Sequence, residues 1–149
     1  MTETTTAPTF TTEELFDYAR RNATGFSLAL LDYAKEHGHG PESAAEWVGR
    51  RFAPGWDDLT DTSVSGVARA IALNIASTGG EVTSVGGDDQ HAEIVYSQWP
   101  SDGTLSFFNM TQESADAICG AFGPIVERIG HRFAWRRKGE RVILTVDTA

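Results

Sequence analysis

A chain of 149 residues with 40% hydrophobic and 22% charged content is long enough for one packed domain and too apolar for wholesale disorder. Twenty-one acids against twelve lysines and arginines give a formal net charge of −9, so a polyanion such as nucleic acid meets general repulsion. No apolar run approaches the roughly eighteen residues of a transmembrane helix, and the first residues lack the basic and apolar regions of a secretory signal.

Residues 1–10 are Thr-rich and aperiodic, and are read as a mobile tail ahead of a single α+β domain over residues 11–149. Thr11 with Glu14 has the spacing of a capping box, and Leu15, Phe16, Ala19, Ala23, Phe26, Leu30 and Ala34 then recur at helical spacing to about Glu36. Pro41 suits the first turn of a second helix, which Pro54-Gly55 ends. Caps at Thr60–Ser63 open a third, with Val64, Val67, Ala68, Ile71, Ala72 and Ile75 on its apolar face and Gly79-Gly80 as its stop. The period then changes to two. Strands are expected at Glu81–Val85 and His91–Trp99, with a short one at Leu105–Met110. A fourth helix is expected from Thr111 to Ile129, kinked at Pro124, followed by strands at His131–Arg137 and Glu140–Val146. The expected fold is N-terminal helices followed by a β-β-(β)-α-β-β unit, an antiparallel sheet with helices packed on one face.

The lone Cys119 allows no internal disulfide and fits a reducing, cytoplasmic setting. On its helix it falls among apolar residues with no activating neighbour at helical spacing, so it reads as core or pocket lining. Tyr96, Asn74 and Asn109 bring polar groups to apolar surfaces, and His91 adds a titratable one; these four are the candidates for hydrogen bonding or proton transfer. Trp99, Cys119, Phe122, Phe133 and Trp135 are the candidate ligand-binding residues. His37 and His39 flank Gly38 and form the weak alternative of a metal pair, with no evident third and fourth ligand; no metal and no cofactor is expected. Asp57-Asp58, Asp61 and Asp88-Asp89 fit turn and cap duty. Six of the twelve Lys and Arg residues fall in 128–149, either a solvated strand edge or a surface for an anionic group.

The segments Ala92–Trp99, Ser114–Gly130, His131–Arg137 and Arg141–Val146, in this order after the helices, resemble the haem–nitric-oxide-binding, TRAPP and four-vinyl-reductase ligand-binding superfamily. The last half of the chain is also similar to L-2-amino-thiazoline-4-carboxylate hydrolase-like proteins. That resemblance implies a cavity between helices and sheet for an apolar or amphipathic small molecule. It does not extend to haem, since no histidine lies between His39 and His91, nor to a cysteine-rich ending, since no Cys follows Cys119.

Three functions fit these observations. The first is a small cofactor-independent hydrolase, isomerase or cyclase acting on an apolar or amphipathic organic molecule, in the manner of secondary metabolism. The second is a non-catalytic binding or sensor domain using the same cavity. The third is a dimeric adaptor, with Trp47, Trp56 and Trp99 as its hot spots. The enzyme requires a titratable group such as His91 inside the cavity, the sensor requires none, and the adaptor requires aromatics buried between chains and no sizeable cavity.

Overall fold

The computed structural model describes residues 7–149; the expected N-terminal tail lies partly outside these, and Ala7–Phe10 carry no secondary structure. Helix α1 (Thr12–Glu36) starts where the capping box places it. Thr11 Oγ1 accepts from the Glu14 amide, and the Glu14 carboxylate accepts from the Thr11 amide. Helix α2 (Pro41–Phe52) begins on its proline and runs into a 3-10 turn at Ala53–Trp56. Helix α3 (Val64–Ser77) is capped by the Ser63 hydroxyl, which accepts from the Gly66 amide. Gly79, with φ +103, then turns the chain into the sheet, a conformation that glycine adopts without steric cost.

Strands β1 (Glu81–Gly87), β2 (His91–Ser97), β3 (His131–Lys138) and β4 (Arg141–Thr148) form an antiparallel sheet in the order β1-β2-β4-β3. Ile94 is paired with Leu144, and Tyr96 with Val142, in the central pair. Ala92, Ile94 and Tyr96 on β2 and Val142, Leu144 and Val146 on β4 are all buried on one face, as strand alternation requires. Helix α3 covers β1, β2 and β4, and the last helix covers β3. Leu28, Val67, Ile71 and Val126 complete the core, each contributing about 1.5–3 kcal/mol by leaving water. The chain is therefore α+β with its helices on one face of the sheet.

Two elements differ from the sequence expectation. Residues 105–110 are not a strand. Ser101 caps a short helix α4 (Asp102–Phe107) by accepting from the Thr104 amide, and in a segment this short that local bond outweighs the strand-like alternation. The segment from Thr111 is also not one kinked helix. It is built from α5 (Gln112–Asp116), a 3-10 stretch at Ala117–Ala121 and α6 (Phe122–Ile129). Pro124 sits in the first turn of α6, where a missing N–H is tolerated, so the change of winding lies ahead of the proline. The tightened stretch meets α2 at Gly49, where a Cβ would lie 2.2 Å from the Ala121 carbonyl oxygen. Among the described residues no helix is long and apolar enough to cross a membrane.

Candidate functional site

An apolar groove of about 290 Å³ opens between the first three helices and the 3-10 stretch. Helix α1 supplies Phe26, Ser27 and Leu30, which recur at helical spacing on one side of the helix. Helix α2 supplies Val48 and Phe52, and α3 supplies Asn74, Ile75 and Thr78. Ile118, Cys119, Ala121 and Phe122 form another side, and Tyr96 from β2 and Trp99 from the loop after it complete the lining.

Among the described residues every polar side chain on this lining is neutral and makes at least one hydrogen bond within the protein, while Asn74 keeps its Oδ1 free at the exposed edge. The Tyr96 hydroxyl and Cys119 thiol lie 3.0 Å apart and satisfy each other. Burial pushes the thiol up to about 12, and burial with the adjacent Cys119 pushes the Tyr96 phenol above its ordinary value of 10.0. Both therefore stay protonated at neutral pH. Ser27 donates to the Ala23 carbonyl, Asn74 to the Ala70 carbonyl and Thr78 to the Ile75 carbonyl. The Trp99 indole N–H is held by the Thr78 carbonyl at 3.0 Å and by Thr24 Oγ1 at 3.2 Å. Among the described residues no Asp, Glu, His, Lys or Arg lines the groove.

One buried ion pair stands behind this wall. Asp116, on α5 beside the 3-10 stretch, accepts from Arg137 Nε at 2.5 Å and Nη2 at 2.9 Å, and from the Gln112 amide at 2.8 Å. Gln112 also donates to the Trp99 carbonyl at 3.2 Å. The network fixes Cys119 and Trp99 relative to β3 without entering the groove.

Of the candidates read from the sequence, the groove gathers Tyr96, Asn74, Trp99, Cys119 and Phe122. His91 is not among them. It lies exposed at the far end of β2, with Nδ1 2.6 Å from the Asp147 carboxylate, an interaction that raises its pKa. The expectation that it shares the cavity fails because His91 and Tyr96 are five residues apart on one strand and face opposite sides of the sheet. Asn109 is in the turn after α4 with φ 48, a left-handed conformation that asparagine tolerates, and is also absent from the groove. Phe133 and Trp135 pack on the core from β3; Phe133 supports Phe122, with ring centroids 6.1 Å apart, without reaching the groove.

His37 ends α1 and donates from Nδ1 to the Tyr33 carbonyl, while His39 lines a separate hollow with Trp47. Among the described residues no three His, Cys, Asp or Glu are gathered as metal ligands would be. The proposed aromatic hot spots divide: Trp47 is exposed, Trp56 half-buried and Trp99 buried. The basic C-terminal segment is partly used internally, since Arg128 pairs with Asp57 and Arg137 with Asp116. Asp61 and Asp88 accept from nearby backbone amides, as turn residues do. The contributions of α1 and α2 to the groove were missed from sequence. Phe26 and Leu30 on α1, and Val48 and Phe52 on α2, carried a signal only as members of helical-spacing faces.

No family model matches the chain, and no curated protein matches it by sequence. Among solved structures it is similar to a trafficking protein particle complex subunit 3 from Naegleria fowleri, crystallised covalently bound to palmitic acid. That likeness covers 92% of this chain and 81% of the other at 12% identity and a TM-score of 0.40. It is a likeness in the arrangement of elements, and the groove stands on its own geometry.

Proposed function

We propose that the chain is a non-catalytic binding module for an apolar small molecule held in the groove between α1, α2, α3 and the Ala117–Ala121 stretch. The observation that carries this reading is the lining itself: aromatic and aliphatic walls, and polar groups that are neutral and each tied to the protein by at least one hydrogen bond. Such a surface favours a ligand by removing its apolar area from water and offers no group to move a proton. The volume of about 290 Å³ is at the small end for ligand sites, fitting a short acyl chain or a fused aromatic pair. This favours the binding reading over the cofactor-independent enzyme, whose titratable candidate, His91, lies elsewhere.

The test is fluorescence titration with the uncharged apolar dye N-phenyl-1-naphthylamine. One saturable site per chain is expected, weakened about tenfold or more by Ile118→Trp, which fills the groove from its rim. Non-saturable binding, or binding indifferent to Ile118→Trp, would contradict the reading.

A second reading, a dimeric adaptor, is favoured by one observation. Leu15, Phe16, Tyr18 and Phe26 are all exposed on α1, more large apolar side chains than one helix of a monomer ordinarily leaves in water. Sedimentation equilibrium with Phe16→Glu distinguishes the two: a dimer that this substitution dissociates supports the adaptor.

A further inference from the structure

A second cleft, more open than the apolar groove and with a volume of about 460 Å³, lies on the other side of Trp99, between the first half of α1 and the loop joining β2 to α4. Asp17, Arg20, Arg21, Gln98, Ser101 and Thr104 supply its polar side chains. Gly79 forms part of its floor; its left-handed φ keeps a side chain out of a spot where a Cβ would lie 3.0 Å from Thr24 Oγ1.

Arg20 is the unusual residue. Its Nε is fully covered and has no hydrogen-bond partner, the only such buried side-chain polar atom among the described residues. A covered guanidinium N–H without an acceptor is costly, and native proteins seldom leave one. Neither Arg20 nor Arg21 forms an ion pair among the described residues, so both guanidinium charges are open to an anion. Phe16 lies under the Arg20 guanidinium at 5.3 Å and Tyr18 under that of Arg21 at 5.6 Å. Stacking orients both guanidinium planes and leaves their N–H edges free for an acceptor. At the opposite lip Gln98 holds φ 57, a backbone conformation disfavoured for a non-glycine residue. Asp17 opposes an anion from the rim, but two guanidinium groups outweigh one carboxylate.

We propose that this cleft is a second ligand site, for a small organic oxyanion, a carboxylate or a phosphate ester. Its charged end is received by Arg20 and Arg21, and its apolar part lies against Trp99 and Pro100. Arginine forks match both oxyanions, and the concave wall gives the bonds a setting less screened than open surface.

The experiment is a ¹H–¹⁵N titration of the full chain with benzoate, phenyl phosphate and the neutral benzyl alcohol at low ionic strength. The Arg20 Nε–H signal and the Gly79 and Ser101 amides are followed. A saturable shift of the Arg20 signal is expected with at least one anion, and the anion that produces it identifies the head group. Arg20→Gln is expected to weaken that anion about 10- to 100-fold, and Asp17→Asn to strengthen it a few-fold, so that the two substitutions act in opposite directions. Amide dispersion verifies that each variant is folded, and should Arg20→Gln not fold, Asp17→Asn and benzyl alcohol remain decisive. Equal shifts with benzyl alcohol, no saturable shift with either anion, or an affinity unchanged in the folded variants would overturn the proposal.

Discussion

Replacing Asp116 by alanine removes the carboxylate that ties α5 to β3 and leaves Arg137 with the Gly139 carbonyl as its one remaining acceptor among the described residues. Three charge-assisted hydrogen bonds disappear, two of them from a guanidinium, from a side chain only 3% exposed. Breaking a buried pair by deleting one partner costs about 3–5 kcal/mol; Arg137 keeps 28% of its side chain in solvent and regains part of its hydration, which places the loss near 3 kcal/mol. For a chain of this size that lowers the melting temperature by about 9 °C, at roughly 3 °C per kcal/mol. Urea denaturation followed by tryptophan fluorescence measures the loss, and an unchanged slope confirms that the unfolded state is unaltered. The double variant Asp116→Leu with Arg137→Met is expected to recover most of it, because neither charge is then left without a partner. Dye binding in the groove is expected to weaken in Asp116→Ala, since Cys119 and Trp99 lose their common anchor. A loss below about 1 kcal/mol would refute the inference that this pair holds the groove wall in place.

Alkaline pH acts on the Tyr96–Cys119 pair. The folded chain keeps both protons at pH values where the unfolded chain has released them, so stability is complete below a thiol's ordinary 9.0 and declines as pH rises towards the folded thiol's value of about 12. The expected slope above pH 9 is about 1.4 kcal/mol per pH unit, steepening above 10 as Tyr96 joins; Cys119→Ala should flatten the profile between 9 and 10. Gly49→Ala sets helix propensity, worth about 1 kcal/mol in favour of alanine, against a 2.2 Å approach to the Ala121 carbonyl. The obstacle is backbone and cannot swing away, so a net loss of about 1–2 kcal/mol is expected, and a raised melting temperature would contradict the packing described. Pro124→Ala should change stability by less than about 1 kcal/mol and leave the 3-10 winding at Ala117–Ala121 intact; a crystal structure showing one straight helix over 112–129 would show the proline to be its cause.

The elements legible in the sequence are those whose signals are local. Thr11 and Glu14 cap α1, Pro41 opens α2, Ser63 caps α3, and the alternation through Ala92, Ile94 and Tyr96 marks a strand buried on one face. The same alternation contained a warning about His91, whose odd separation from Tyr96 puts it on the other face of β2. Leu105–Met110 was ambiguous because six residues satisfy either period, and the Ser101 cap decided it. Asn109 depended on that misread strand. The walls that α1 and α2 give the groove were not legible: their side chains meet Tyr96 and Cys119 only through tertiary packing, and a periodic apolar face reads alike whether it meets core or cavity. Arg20 gave no sequence signal, because a missing partner is visible only in space.

The claim on which the account rests is that the groove beside Tyr96 and Cys119 takes an apolar ligand. Its most direct test is isotope-edited NMR of methyl-labelled protein with unlabelled N-phenyl-1-naphthylamine, reading nuclear Overhauser contacts from the dye. The account predicts contacts to the methyl groups of Leu30, Val48, Ile75 and Ile118, which line the groove. Contacts confined to exposed methyls such as those of Leu15 and Leu73 would contradict it, since the dye would then be adhering to the surface.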